Sequence, residues 1–95
     1  MSSRTPTEYV DRATDSTASE ADRIEAIHAL KTANECDELA ALVRNHDIER
    51  QFRNEALEAM GTPRCDDTLQ FLVDRDVLDP DMRSRAVEIL DSTRK

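Results

Sequence analysis

Four side chains of this 95-residue chain could ligate a soft metal: His28, Cys36, His46 and Cys65. Along the chain they are 8, 10 and 19 residues apart, and no such separation matches the short Cys or His pairs that grip zinc, so no metal site is expected. The two cysteines stand near the starts of helices, where the thiolate is favoured, and folding could bring them together. Two small, buried or half-buried thiols are the plainer expectation. Catalysis by a nucleophile and base, or by paired carboxylates, needs a concave pocket that excludes water. The adjacent Asp66 and Asp67 are better explained as first-turn charge complementing a helix dipole. There is a single glycine, Gly61, hence no phosphate-cradling loop, and no His-Glu pair at metalloprotease spacing. With aromatics at 3% and no Trp, no large aromatic pocket can be built. The expectation is a protein that is not an enzyme and takes no cofactor.

The elements that must position any other site are helical. Apolar residues do not alternate, and no turn pair sits between β-branched runs. Thr5-Pro6-Thr7-Glu8 supplies a cap, a first-turn proline and a capping-box carboxylate for a first helix through Tyr9, Val10 and Ala13. Ser19 opens a second with Ile24, Ile27 and Leu30 on one face. Asn34 is expected to cap a third carrying Leu39, Leu42 and Val43, and Asp47 to precede a fourth carrying Ile48, Phe52, Ala56, Leu57 and Met60. Gly61 is expected to end that helix with a left-handed φ. Thr62-Pro63 begins a fifth helix with Leu69, Leu72 and Val73, and Asp79-Pro80 a sixth with Met82, Ala86, Ile89 and Leu90.

The six helices repeat with a period of thirty. Residues 23–30, RIEAIHAL, align without a gap on 53–60, RNEALEAM, and on 83–90, RSRAVEIL. The alternate helices keep the register: Tyr9, Leu39 and Leu69 coincide, as do Ala13, Val43 and Val73. A period of this size marks helical hairpins whose apolar faces are covered by their neighbours, and about three such units are the minimum for stability. The chain is therefore expected to be one domain over 1–95, all-α, with repeats at about 5–31, 35–60 and 65–92 and flexible tails at 1–4 and 93–95. Asp22 stands where Phe52 and Met82 stand later, and Arg12 where Leu42 and Leu72 do. Such polar departures suit an amino-terminal cap. The other end, with Met82, Val87, Ile89 and Leu90 in the last helix, is expected to be less protected and to permit self-association through that helix.

A thirty-residue hairpin with Arg, two residues and Ala on its second helix resembles the HEAT repeat, particularly the short variety of phycobilisome-lyase-like proteins. The resemblance spans about residues 5–92 and implies a right-handed α-solenoid. It also implies that Arg23, Arg53 and Arg83 are structural, with a turn Asp six residues earlier bonding that Arg or the Arg of the next repeat. Asp47 and Arg53 have that spacing, while Thr17 and Val77 stand before Arg23 and Arg83.

Thirteen basic against twenty-one acidic residues give a net charge of −8, which repels phosphate backbones and anionic headgroups, so neither nucleic acid nor membrane is an expected partner. Asp outnumbers Glu 12 to 9 and Arg outnumbers Lys 11 to 2, a balance that resembles cytoplasmic proteins of salt-loving archaea. Two cysteines make no secreted disulfide framework, and a cytoplasmic location is expected. In the HEAT arrangement the second helices line the concave side. The positions two and five after the repeat Arg are polar in every copy: Glu25 and His28, Glu55 and Glu58, Arg85 and Glu88. Three apart, each pair shares a helix face. Together they would form a mostly acidic ribbon, flanked by Ala21, Gln51 and Asp81, for another protein's basic peptide or helix, unless the acidity only solvates a salt-adapted surface. The rivals are an accessory lyase-like role with a small ligand or chromophore, implied by the resemblance alone, and nucleic-acid association, for which only Arg85 in the ribbon supplies a cation.

Overall fold

The structure, a computed structural model, describes residues 5–94. The expected tails lie partly outside this span. Of the second, Thr93 closes the last helix and donates its hydroxyl to Asp66 at 2.6 Å, while Arg94 donates to Gln70 at 2.8 Å.

The described residues form six α-helices and no strand: α1 (Pro6–Thr14), α2 (Glu20–Thr32), α3 (Cys36–Val43), α4 (Arg50–Ala59), α5 (Asp66–Asp74) and α6 (Pro80–Thr93), with a 3-10 turn over Pro63–Cys65 leading into α5. Three caps follow from local chemistry. The Thr5 and Ser19 hydroxyls accept from the amides of Glu8 and Asp22, and the Asp79 carboxylate accepts from that of Met82, each satisfying an amide with no partner inside its helix.

Asn34 does not cap α3. Its φ is +58°, its amide donates to Lys31 O, and the next amide, that of Glu35, donates to Leu30 O. This pair of bonds ends α2 in the left-handed residue that Asn tolerates better than most. Glu35 becomes the N-cap residue of α3 and offers no side-chain bond. Ile48 likewise lies before α4, whose N-cap is Glu49. Gly61 has no positive φ. What glycine provides there is space: a Cβ would lie 3.1 Å from Glu58 O and 3.1 Å from Ile89 Cγ2 on α6, closer than ordinary van der Waals contact.

Consecutive helices pack as hairpins, α1 on α2, α3 on α4 and α5 on α6. The hairpins meet in chain order: α2 packs against α4 and α4 against α6, while α1 packs against α3 and α3 against α5. The contact surfaces form one core, in which Ile27, Leu30, Leu39, Phe52, Leu57, Met60, Leu69, Leu72 and Met82 are all buried. At about 1.5–3 kcal/mol for each large apolar side chain removed from water, this burial is the main term holding the hairpins together.

Two of the three repeat arginines belong to that core. Arg23 and Arg53 are 3% and 7% exposed. Arg23 Nε donates to Ala13 O at 2.9 Å and Arg53 Nε to Val43 O at 3.0 Å. These carbonyls end α1 and α3, so the arginine caps the partner helix of its own hairpin and has its burial cost offset by a charge-assisted bond. Arg23 also reaches the next hairpin, ion-pairing with Glu49 at 3.2 Å and lying 3.8 Å from the centre of the Phe52 ring. The bond implied between Asp47 and Arg53 is replaced by this arrangement. Asp47 is exposed, and its amide is turned back to the Asn45 side chain. Arg83, at the third equivalent position, is exposed.

The cysteines are not thiols. Cys36, at the first position of α3, and Cys65, which is 1% exposed at the entry to α5, form a disulfide with Cα atoms 5.4 Å apart. Hairpin stacking brings together residues 29 apart in sequence, and the covalent bond ties the second hairpin to the third.

Candidate functional site

The second helix of each hairpin carries the same amphipathic pattern. Ala26, Ala56 and Ala86 are buried at equivalent positions, and the residues one before and two after each of them lie on the outer side of the helix. His28, Glu58, Arg85 and Glu88 are exposed, as is Glu25, and Glu55 is half-buried. Because α4 lies between α2 and α6, the six side chains share one ridge running across the three helices.

The ridge is cross-linked. His28 Nε2 is 3.1 Å from Glu55 Oε1. Arg85 forms a two-pronged bond with Glu58, Nη2 donating to Oε1 at 2.7 Å and Nε donating to Oε2. Both links span 27 residues, one helical turn short of the thirty-residue period. The residue five after the repeat Arg in one hairpin therefore reaches the residue two after it in the next. Glu25 and Glu88 are the ends of this line. Glu25 borders a hollow with Tyr9, Arg12 and Asp22, and Glu88 lies 3.8 Å from Arg85 on its own helix.

The electrostatics follow from these partners. The Arg85 guanidinium holds the Glu58 carboxyl below the usual glutamate range, chiefly through the hydrogen bond and against the opposing effect of desolvation. Four carboxylates against one guanidinium leave the ridge at −3 with His28 neutral (1 − 4). Ala21, Gln51 and Asp81, the flanking positions, are all exposed.

A further inter-hairpin link was not legible from the repeat alone. Arg50, at the start of α4, donates through Nη2 to Asp79 Oδ1 at 2.9 Å, so the N-cap of α6 is also an ion-pair partner of the hairpin before it. That bond and the amide of Met82 lower the Asp79 pKa. The available signal was the spacing of 29 residues, nearly one period.

Among the described residues no group of three or more His, Cys, Asp or Glu is arranged to hold a metal ion. No helix among them is long and apolar enough to cross a membrane. His46 is exposed in the turn before α4, apart from the ridge. The arrangement can present fixed negative charge over three helices, and it offers direct hydrogen-bond acceptors to a cationic partner. No family model, curated protein or solved structure matches this chain.

Proposed function

We propose that the chain is a protein-interaction module, a right-handed solenoid of three HEAT-like hairpins that docks a basic helix or peptide of another protein along the ridge of α2, α4 and α6. The observation that carries the reading is the placement of Glu25, Glu55, Glu58 and Glu88 on the outer side of three helices packed in sequence. Helix axes packed about 8–10 Å apart space such charges along a line that an extended or helical cation can follow. The links His28–Glu55 and Glu58–Arg85 hold side chains in place before binding, reducing the ordering cost of association. In this reading the module catalyses no reaction of its own, works in the cytoplasm, and owes its excess of Asp and Arg to adaptation to salt.

Reversing Glu55 and Glu58 would also break the inter-hairpin links. The cleaner variant is the pair Glu25→Lys and Glu88→Lys, which leaves both links intact. With a fluorescent Arg-rich helical peptide as probe, anisotropy is expected to show saturable binding that this variant weakens about tenfold or more, equivalent to about 1.4 kcal/mol or more. Peptide binding unchanged by the double reversal, with helicity retained, removes the ridge as the docking site.

A further inference from the structure

Equivalent residues have unequal surroundings at the two sides of the third hairpin. Ile27 and Leu57 are 0% and 1% exposed, whereas Val87, thirty residues further on, is 41% exposed. Arg23 and Arg53 are buried and Arg83 is exposed. Residues 5–94 provide α4 and α5 as the neighbours of α6, and the face of α6 turned from them opens on a hollow lined by Asp76, Leu78, Pro80, Arg83, Ser84 and Val87. This is the surface on which the first and second hairpins each receive the next one.

We propose that this face is the seat of a two-fold dimer, in which a second copy of the chain covers Val87 with its own Val87 and the two copies exchange Asp76–Arg83 ion pairs. The opposite end of the molecule is unsuited to the same surface. There Arg12 and Asp22, an ion pair at 3.9 Å, replace the Leu42 and Phe52 of the second hairpin. Pressing this pair against Val87 would strip water from two charges, at a cost that the apolar contact does not offset. Head-to-tail growth is thereby disfavoured, and a copy that approaches must use the same face. That face suits itself: it carries one acid and one base, both exposed, bordering one hollow that Leu78, Pro80 and Val87 also line. A two-fold axis brings each residue of one copy to its complement on the other. It is also a neutral patch (+1 from Arg83, −1 from Asp76) on a chain of net charge −8, so two copies meet there with less repulsion than across the acidic ridge. The inference is independent of whether the ridge binds a partner.

Sedimentation equilibrium of the full chain over a concentration series, at one fixed ionic strength, tests it. The wild type is expected to reach twice the monomer mass and no more. Val87→Glu and Arg83→Asp, both on an exposed helix surface, are expected to weaken association about tenfold or more. Asp76 has φ of +56°, so Asp76→Asn, which tolerates that conformation, serves as the charge-removing control beside Asp76→Arg. Mixing Asp76→Arg with Arg83→Asp is expected to restore a dimer, because each variant then supplies the other's complement. The proposal is overturned by a wild type that stays monomeric to about 1 mM, a range that excludes even a weak specific contact. It is equally overturned by a dimer indifferent to Val87→Glu, by masses beyond two, or by a mixture of folded charge variants that does not associate.

Discussion

Leu57 and Val87 occupy the same place in successive hairpins and have opposite environments. α4 is covered on both sides, by α2 and α6, and Leu57 is lost from the surface; α6 has a neighbour hairpin on one side, and Val87 remains 41% exposed. The arginines make the same contrast, with Arg53 buried against the Val43 carbonyl and Arg83 in solvent. The amino acid type therefore does not settle the contribution of a repeat position. What settles it is whether the next hairpin arrives to cover that position, as expected when each unit leaves a face it cannot cover alone.

The most severe way to break this comparison is to shorten both side chains. Leu57→Ala is expected to cost about 2–5 kcal/mol, by lost transfer energy and a residual cavity, and Val87→Ala about 0.5 kcal/mol or less. Urea unfolding at low protein concentration, where self-association is absent, measures both. Similar losses at the two sites would mean that Val87 is covered in solution.

Cutting the Cys36–Cys65 link addresses the junction between the second and third hairpins. Closing a loop of about 30 residues is worth about 3–4 kcal/mol in the chain-entropy model. Reduction, or Cys36→Ser with Cys65→Ser, is expected to lower Tm accordingly, and a Tm unmoved by reductant would show the thiols to be unpaired. A cytoplasm at ordinary glutathione poise keeps thiols reduced, so the oxidation state of this pair in protein alkylated at the moment of lysis also reports on the proposed location.

Replacing the arginines sharpens the comparison further. Arg53→Met retains much of the apolar stem but leaves the Val43 carbonyl without its donor, an expected loss of about 1–3 kcal/mol, against about 0.5 kcal/mol or less for Arg83→Met. The smallest effect concerns acid. The Glu58 pKa is lowered in the fold by Arg85, so the Glu58–Arg85 pair stabilises fully above the ordinary glutamate pKa and is lost as pH falls through the depressed value. The side chains are about half exposed, 46% and 50%, and such pairs contribute about 0–1 kcal/mol. Arg85→Met should slightly flatten the decline in stability below about pH 4.5, where wild-type Glu58 takes up its proton. An acid limb identical in the two proteins would show that the pair adds nothing.

The helical content and the caps at Thr5, Ser19 and Asp79 were legible because each rests on local chemistry within one or two turns, and the thirty-residue register because three segments align without a gap. Asn34 was misread because Asn serves both as an N-cap and as a left-handed terminator, and only the bonds from Asn34 and Glu35 back to α2 decide between them. Gly61 was assigned to backbone freedom, whereas its role is set by Ile89, 28 residues away on α6. The near-equivalent repeat positions of the two cysteines allowed them to meet, but two thiols were the plainer expectation, and only stacking of α3 on α5 shows that the one-residue offset closes to 5.4 Å. The ridge was legible as a row of polar positions. Its internal pairing was not, since the one-turn shift that joins His28 to Glu55 and Glu58 to Arg85 depends on how neighbouring helices slide past each other.

The row itself can be measured directly. Spin labels placed two at a time at the exposed positions 28, 58 and 88, in the disulfide-intact protein, report three distances by electron paramagnetic resonance. Packing of α2, α4 and α6 in succession, about 10 Å apart, predicts similar values for 28–58 and 58–88 and nearly twice that value for 28–88. Three comparable distances would instead describe helices closed around a common axis, contradicting the stacked arrangement.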